Sequence, residues 1–232
     1  MTIAIIGAME EEVTILRDKM KNKQTKQIAH VEFTQGELNG KDVVLLKSGI
    51  GKVNVAITTT LLFEHYDVSA VINTGSAGGL KQEANVGDVV ISTSTCYHDV
   101  DVTGFGYEMG RVPGLPLMFE ADASLAKLCE EVLKQSNRPY HVGVIGTGDA
   151  FINRPEQIDV IQTNFNREQL IALEMEAAAV AQVCHQFNKP FVILRGLSDI
   201  AGKESHLSFN DYLDLAAKQS SEMVETLVGL MN

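Results

Sequence analysis

Short apolar runs alternate along the chain with longer stretches whose apolar positions recur at helical spacing. Thr2 to Gly7 is apolar and stops at a glycine, and a charged, helix-favouring stretch runs from Met9 to Met20. A buried strand feeding a helix accounts for this, since strands covered on both faces read as continuous apolar runs. Residues 28–38 carry His30, Val31, Phe33, Thr34 and Leu38, and Asn39-Gly40 separates them from DVVLLKSG. Asn-Gly between two apolar runs predicts a hairpin. Lys19, Lys21, Lys23 and Lys26 are scattered through the polar stretch before it, which reads as a solvated linker or helix end.

GIGKVNVAITTTLLFEHY is long enough for a helix, although three successive threonines weaken it, because β-branched side chains lose rotamer freedom there. SAVINT at 69–74 is a core strand entering GSAGGL, and VGDVVISTST at 86–95 is another. From Cys96 to Glu120 there is little periodicity, and so long a connection points to a functional loop. A helix is expected at about 121–136, a strand at YHVGVIG, and a short helix from Pro155, where proline's missing N–H costs nothing. Leu170 to Leu173 reads as a strand, and EMEAAAVAQVCHQF as a helix that Asn188 and Lys189-Pro190 end. FVILRGLSDI is the last strand. A long helix closes the chain, with Ser208 and Asp211 as a capping box. This order predicts a single α/β domain over residues 1–232, with a mostly parallel or mixed sheet and helices on both faces.

The 232 residues carry a formal charge of −11, with 45% hydrophobic and 21% charged residues. That is a globular composition. Its acidic surface lacks the basic patch that nucleic-acid binding needs. No run approaches the length of a membrane span. The start, MTIAIIGAMEEEV, lacks the basic region of an export signal, so a cytoplasmic location is expected. Cys96, Cys129 and Cys184 are odd in number and show no CxxC spacing, which disfavours a disulfide framework or a zinc ribbon.

In open α/β sheets ligands bind beyond the carboxyl ends of the strands. The polar strand exits are GAMEEE (7–12), GSAGG (75–79), GDAFIN (148–153) and RGLSD (195–199), joined by EMEA (174–177). GSAGG is either a tight turn or a place of close ligand approach, with amides and Ser76 facing a polar group. Ala8 and Met9 stand where a dinucleotide fingerprint would need glycines. Of the three consecutive glutamates, Glu10 and Glu11 read as solvated first-turn residues. Glu12 falls near Met9 and Leu16 on an apolar face, where a carboxylate is buried or directed into a cleft. Glu174 and Glu176 are either a first-turn acidic pair or a helix-terminal carboxylate beside a ligand for hydroxyl groups. Asp199 is either an N-cap or an acid oriented by Ser198. Arg195 sits within an apolar run and needs a carboxylate or polar pocket, because an unpaired guanidinium is costly to bury. His98, Asp99 and Asp101 are closer to a polar loop than to a metal site, and neither HExxH nor GxSxG occurs.

Several of these segments together resemble the bacterial 5′-methylthioadenosine/S-adenosylhomocysteine nucleosidases of the nucleoside phosphorylase superfamily. They are IIGAMEEEV (5–13), SGIGKVNVA (48–56), NTGSAGGL (73–80), GDVV (87–90), YHDVDVTGFGYE (97–108), GDAFIN (148–153), EMEAAAVAQVCHQF (174–187) and RGLSDIAG with SHLSF (195–209). The resemblance covers nearly the whole chain. It implies a three-layer sandwich around a twisted mixed sheet, a homodimer, and hydrolysis of the N-glycosidic bond of 5′-thioadenosines without metal or cofactor. It implies that Asp199, oriented by Ser198, protonates adenine N7, while Glu12 activates water with help from Arg195 and Ser76. Glu176 and Met175 would hold the ribose. Phe151, the Ile152 backbone and Phe209 would hold the base, with Ala8, Met9, Ile50 and Gly78 completing the substrate-binding set. Phe105 and Pro113 would be lent to a neighbour's 5′-alkylthio pocket. Phosphorolysis, another adenosine derivative such as 5′-deoxyadenosine or an aminofutalosine, and a non-enzymatic nucleoside sensor are the competing readings.

Overall fold

A computed structural model describes residues 2–165, 170–201 and 205–231. At its centre three parallel strands lie side by side: β1 (Thr2–Gly7), β5 (Val68–Gly79) and β10 (Phe191–Ile200). Beyond β1 come β4 (Lys41–Lys47), β3 (Val31–Leu38) and β2 (Lys21–Ile28); beyond β10 come β6 (Val89–Tyr97), β8 (Tyr140–Thr147) and β9 (Leu170–Glu174). The two-residue β7 (Phe119–Glu120) joins β6. β9 pairs back onto Gly78 and Gly79 at the end of β5, so β5, β10, β6, β8 and β9 close into a ring at one side of the sheet. Parallel and antiparallel pairings are mixed, as the alternation of elements predicts.

The two-residue period of the strands divides the core. Ile3, Ile5, Val43, Leu45, Ala70 and Ile72 pack on one face against α1 (Glu10–Lys19), α3 (Ala123–Ser136) and α6 (Ser205–Leu230). Ala4, Ile6, Val44, Leu46 and Val71 pack on the other against α2 (Lys52–His65) and α5 (Ala177–Gln186). α4 (Pro155–Asn164) covers a third, smaller cluster through Ile161. Both faces of the sheet are covered, which makes the architecture an α/β sandwich.

The predicted hairpin forms at Asn39-Gly40, whose φ angles of 48° and 77° are the positive pair that a two-residue turn of this kind requires. The threonine-rich helix also forms. Thr58, Thr59 and Thr60 donate their hydroxyls to the carbonyls of Asn54, Val55 and Ala56 at 2.8–2.9 Å, and packing of α2 on α5 outweighs their weak propensity. The expectation of a linker at Lys21–Lys26 is corrected: these residues form β2, an antiparallel edge strand that is almost wholly exposed. No hydrophobic alternation marks it because both its faces are wet, and its lysines discourage edge-to-edge pairing. α6 begins at Ser205, ahead of the expected cap at Ser208, whose side chain lies outside the described residues.

At the carboxyl ends of β5 and β10, register decides which side chains meet. Arg195 lies opposite Gly75, Gly196 opposite Ser76 and Asp199 opposite Gly78, with an irregularity between Leu197 and Asp199 that re-aims Ser198. α6 crosses β10 at Gly196, where an added Cβ would stand 2.6 Å from the Ala216 carbonyl oxygen. Gly196→Ala is therefore expected to wedge α6 off the sheet, lowering stability by about 1–3 kcal/mol, the usual cost of overpacking. A denaturant melt compared with wild type measures it.

Candidate active site

Arg195 is 1% exposed, so every charge around it has to be balanced within the protein. Its Nη2 donates to Glu174 Oε2 at 2.6 Å, Asn73 Oδ1 at 2.8 Å and Glu176 Oε2 at 3.4 Å, and its Nη1 reaches the Ser76 carbonyl at 3.4 Å. The expectation that this arginine emerges at carboxylates holds. Gly75, with φ 144°, threads the space between Arg195 and Glu12. A Cβ there would collide with Arg195 Nη1 and stand 2.5 Å from Glu12 Oε1, which explains the glycine.

Glu12 projects from the first turn of α1 and is 1% exposed, whereas Glu10 and Glu11 face solvent. Its Oε2 accepts the backbone N–H of Ala8 (2.7 Å) and Met9 (3.1 Å). Its Oε1 accepts the N–H of Ser76 (2.9 Å) and the Ser76 hydroxyl (3.1 Å). Glu10 instead pairs with Arg17 and Lys47 at the surface, and these cations hold its carboxyl at about 2. At the far end of the β5–β10 pairing, the Ser198 hydroxyl lies 2.9 Å from Asp199 Oδ1. Asp199 Oδ2 would be 3.0 Å from a Cβ at Gly78, so the glycine leaves that carboxylate its place. Ser76 and Gly78, the anchors beside the two acids, are two residues apart along β5, roughly 6–7 Å.

Between these acids lies a cavity of about 410 Å³. Its walls bring together Ala8, Met9, Glu12, Ile50, Ser76, Gly78, Phe151, Met175, Glu176, Arg195, Ser198, Asp199 and Phe209 from the sequence-derived set. Phe151 and Phe209 meet edge to face at 5.6 Å over it. Ile152 is buried and lines a small adjoining recess with Phe151, Met175 and Asp199 rather than the main chamber. Phe105 and Pro113 are not brought to this chain's cavity: both are exposed, Phe105 at the end of a short 3₁₀ turn. Among the described residues, no group of three His, Cys, Asp or Glu side chains is placed to hold a metal ion. Asp99, a candidate by composition, is taken by Lys52 at 2.8 Å.

A family model described as "Phosphorylase superfamily" matches residues 2–229. The 5′-methylthioadenosine/S-adenosylhomocysteine nucleosidase of Bacillus subtilis is 57% identical over 97% of this chain and 96% of its own. The chain belongs to the 5′-methylthioadenosine/S-adenosylhomocysteine nucleosidase family. A solved nucleosidase of this family from Neisseria meningitidis, in complex with methylthio-immucillin-A, superposes with a TM-score of 0.96 at 43% identity, covering 99% of both chains. Futalosine hydrolase of Helicobacter pylori has the same fold (TM-score 0.94) at 31% identity, over 99% of this chain and 98% of that one.

Three residues of the nucleosidase cavity were given no substrate-binding role from sequence: Ala77, Leu173 and Glu174. Ala77 and Leu173 carry no chemical signal. Glu174 carried one, the Glu-x-Glu spacing, and the structure resolves its ambiguity. Glu174 ends a strand, Glu176 occupies the N-cap position of α5, and both reach Arg195. Burial, and then the charge of Glu174, push the Glu176 carboxyl up to about 7 despite the neighbouring guanidinium. A carboxyl held above its ordinary 4.5 favours folding most at low pH, and that contribution is lost as pH rises through about 7. Glu176→Gln is therefore expected to flatten the decline in melting temperature between about pH 5 and 8. Scanning calorimetry across that range checks it, and an unchanged slope contradicts the assignment.

Proposed function

We propose that this chain hydrolyses the N-glycosidic bond of 5′-methylthioadenosine and S-adenosylhomocysteine, and of 5′-deoxyadenosine, releasing adenine and the 5-substituted ribose in methionine salvage and S-adenosylhomocysteine recycling. The carrying observation is the pair of buried acids flanking one cavity, each held by its own donors. Asp199, steadied by Ser198, hands a proton to adenine N7, so that the base leaves neutral as C1′–N9 breaks. Positive charge grows on the ribose, and the carboxylates of Glu12 and Glu176 favour it electrostatically. Water attacks C1′ from the side of Glu12, which takes its proton. Three of the four donors on Glu12 are backbone amides and stay in place; the fourth, the Ser76 hydroxyl, rotates and yields its position to the water.

Glu176 accepts from the ribose hydroxyls and Met175 packs beneath the sugar. Phe151 and Phe209 enclose the base, the Ile152 backbone reads its edge, and Ala8, Met9, Ile50 and Gly78 complete the pocket. The two rings touch each other at 5.6 Å, so a base entering between them parts them. No metal or cofactor takes part in this scheme.

Water rather than phosphate is the second substrate. Among the described residues lining the cavity, Arg195 is the cation, and its Nη2 is engaged by Glu174, Glu176 and Asn73. A phosphate dianion would meet carboxylates instead. The likeness to futalosine hydrolase favours one further reading, the same bond cleaved in an aminofutalosine with a different 5′ substituent.

The active form is a cytoplasmic homodimer. Phe105 is 86% exposed, and Tyr107, Ile50, Val53 and Ile57 add apolar surface on the same loop and on α2 with the segment leading into it. Such surface fits burial against a second copy that receives Phe105 and Pro113 in its 5′-alkylthio pocket.

Adenine release from 5′-methylthioadenosine is expected at full rate in phosphate-free buffer, and Asp199→Asn is expected to keep the fold while losing most turnover. Rates proportional to added phosphate, or wild-type turnover in the variant, refute the scheme. Sedimentation is expected to show a dimer, with Phe105→Ala raising KM for the methylthio substrate; an active monomer at assay concentration defeats the shared pocket.

A further inference from the structure

The first turn of every helix leaves backbone N–H groups without partners inside the helix. At α5 these donors point into a closed interior, and the N-cap residue Glu176 does not satisfy them with its own side chain. Glu174 and Thr147 do. Glu174 Oε2 accepts the N–H of Glu176 at 2.9 Å and of Ala177 at 2.8 Å, and the Thr147 hydroxyl oxygen accepts the N–H of Ala178 at 2.8 Å. The Thr147 hydroxyl in turn donates to Glu174 Oε1 at 2.5 Å, and Arg195 Nη2 completes the set on Oε2. Four donors, from β8, β10 and the start of α5, thus converge on one carboxylate, three on Oε2 and one on Oε1. Glu174 borders the cavity with its Oε2 fully engaged in capping α5 and holding Arg195.

Glu176 is in the opposite situation. Relieved of capping, its carboxylate turns away from its own helix to the N–H of Gly51 at 2.8 Å and to Arg195 at 3.4 Å, along the cavity wall. An acidic residue at the N-cap position would otherwise fold back onto the N2 or N3 amide.

We propose that Glu174 is a positioning residue of the hydrolytic site, which caps α5 and clamps Arg195 so that the neighbouring Glu176 is held open toward the ribose. The inference rests on the nucleosidase reading above and adds the residue through which Glu176 acts. The groups facing Glu176 are Glu174 on β9, Arg195 on β10 and Glu12 on α1, together with the Gly51 amide. Removing the charge of Glu174 leaves Arg195 to act on Glu176 with one fewer competing anion.

The test is a cycle of Glu174→Gln, Glu176→Gln and the double variant, assayed for adenine release in phosphate-free buffer. Glu174→Gln alone is expected to lower kcat/KM about 100-fold, the scale of a misplaced binding group. It is also expected to move the acidic limb of the pH profile to lower pH, a shift that mere loss of stability does not produce. In the Glu176→Gln background the same change is expected to cost less than about threefold, since residues acting through one another are not additive. Additive losses, or an unmoved pH limb in a folded Glu174→Gln protein, overturn the proposal. If Glu174→Gln does not fold, Thr147→Val removes one donor from the carboxylate while leaving both acids in place; it is expected to give a smaller loss in kcat/KM that largely vanishes in the Glu176→Gln background, and additive losses there overturn the proposal equally. Wild-type protein that releases no adenine in this buffer would instead refute the hydrolytic reading on which the proposal rests.

Discussion

A single guanidinium in the core organises this molecule. Arg195 follows the apolar run Phe191–Leu194 of β10, and it draws Asn73, Glu174 and Glu176 to itself from β5, β9 and the start of α5. Taking a charge out of water costs several kcal/mol, and deleting one partner of such a cluster typically costs about 3–5 kcal/mol. The strands can therefore close into a ring only in the register that brings these groups together. The hydrophobic layers supply the drive to fold, but they would tolerate a small slip along β10. The ion cluster would not, and the collision awaiting any Cβ at Gly75 shows how little space the arrangement leaves.

The same cluster creates the chemistry. Among the described residues lining the cavity, Glu12, Glu174 and Glu176 outnumber the cation Arg195, so acidic groups dominate a buried wall. Such an environment resists a dianionic nucleophile and welcomes a sugar that becomes cationic as its bond to the base breaks. Burial first, and then the charge of Glu174, raise the Glu176 carboxyl, which takes up a proton more readily than a solvated one. Stability and reactivity are here two readings of one field.

The chain itself disclosed much of this. The apolar runs gave the strands, Asn39-Gly40 gave the hairpin, and the polar exits at 7–12, 75–79, 174–177 and 195–199 converge on one cavity. An arginine inside an apolar run was sufficient signal for a buried ion cluster. The features that escaped have a common cause. β2 lacks alternation because neither face is buried. The closure of β9 onto Gly78 and Gly79 depends on two residue pairs far apart in the chain, which no local pattern encodes. Glu174 was ambiguous because its role follows from where the strand stops, and a shift of two residues would have made it an ordinary first-turn acid.

That last point bears on how a strand-to-helix junction becomes a binding site. Glu-Met-Glu places one acid at the end of an extended segment and the next at the helical N-cap. Extended backbone alone would send both side chains to the same face. The change to helical geometry after Glu176 separates them, and the helix's own unsatisfied amides select which carboxylate stays behind. Glu174 is captured by those amides and by Thr147, and Glu176 is released to the cavity. Three requirements are thus met by one tripeptide: capping of α5, neutralisation of Arg195, and presentation of a carboxylate on the cavity wall beside Met175. The backbone's demand for hydrogen bonds at the start of α5 does the sorting.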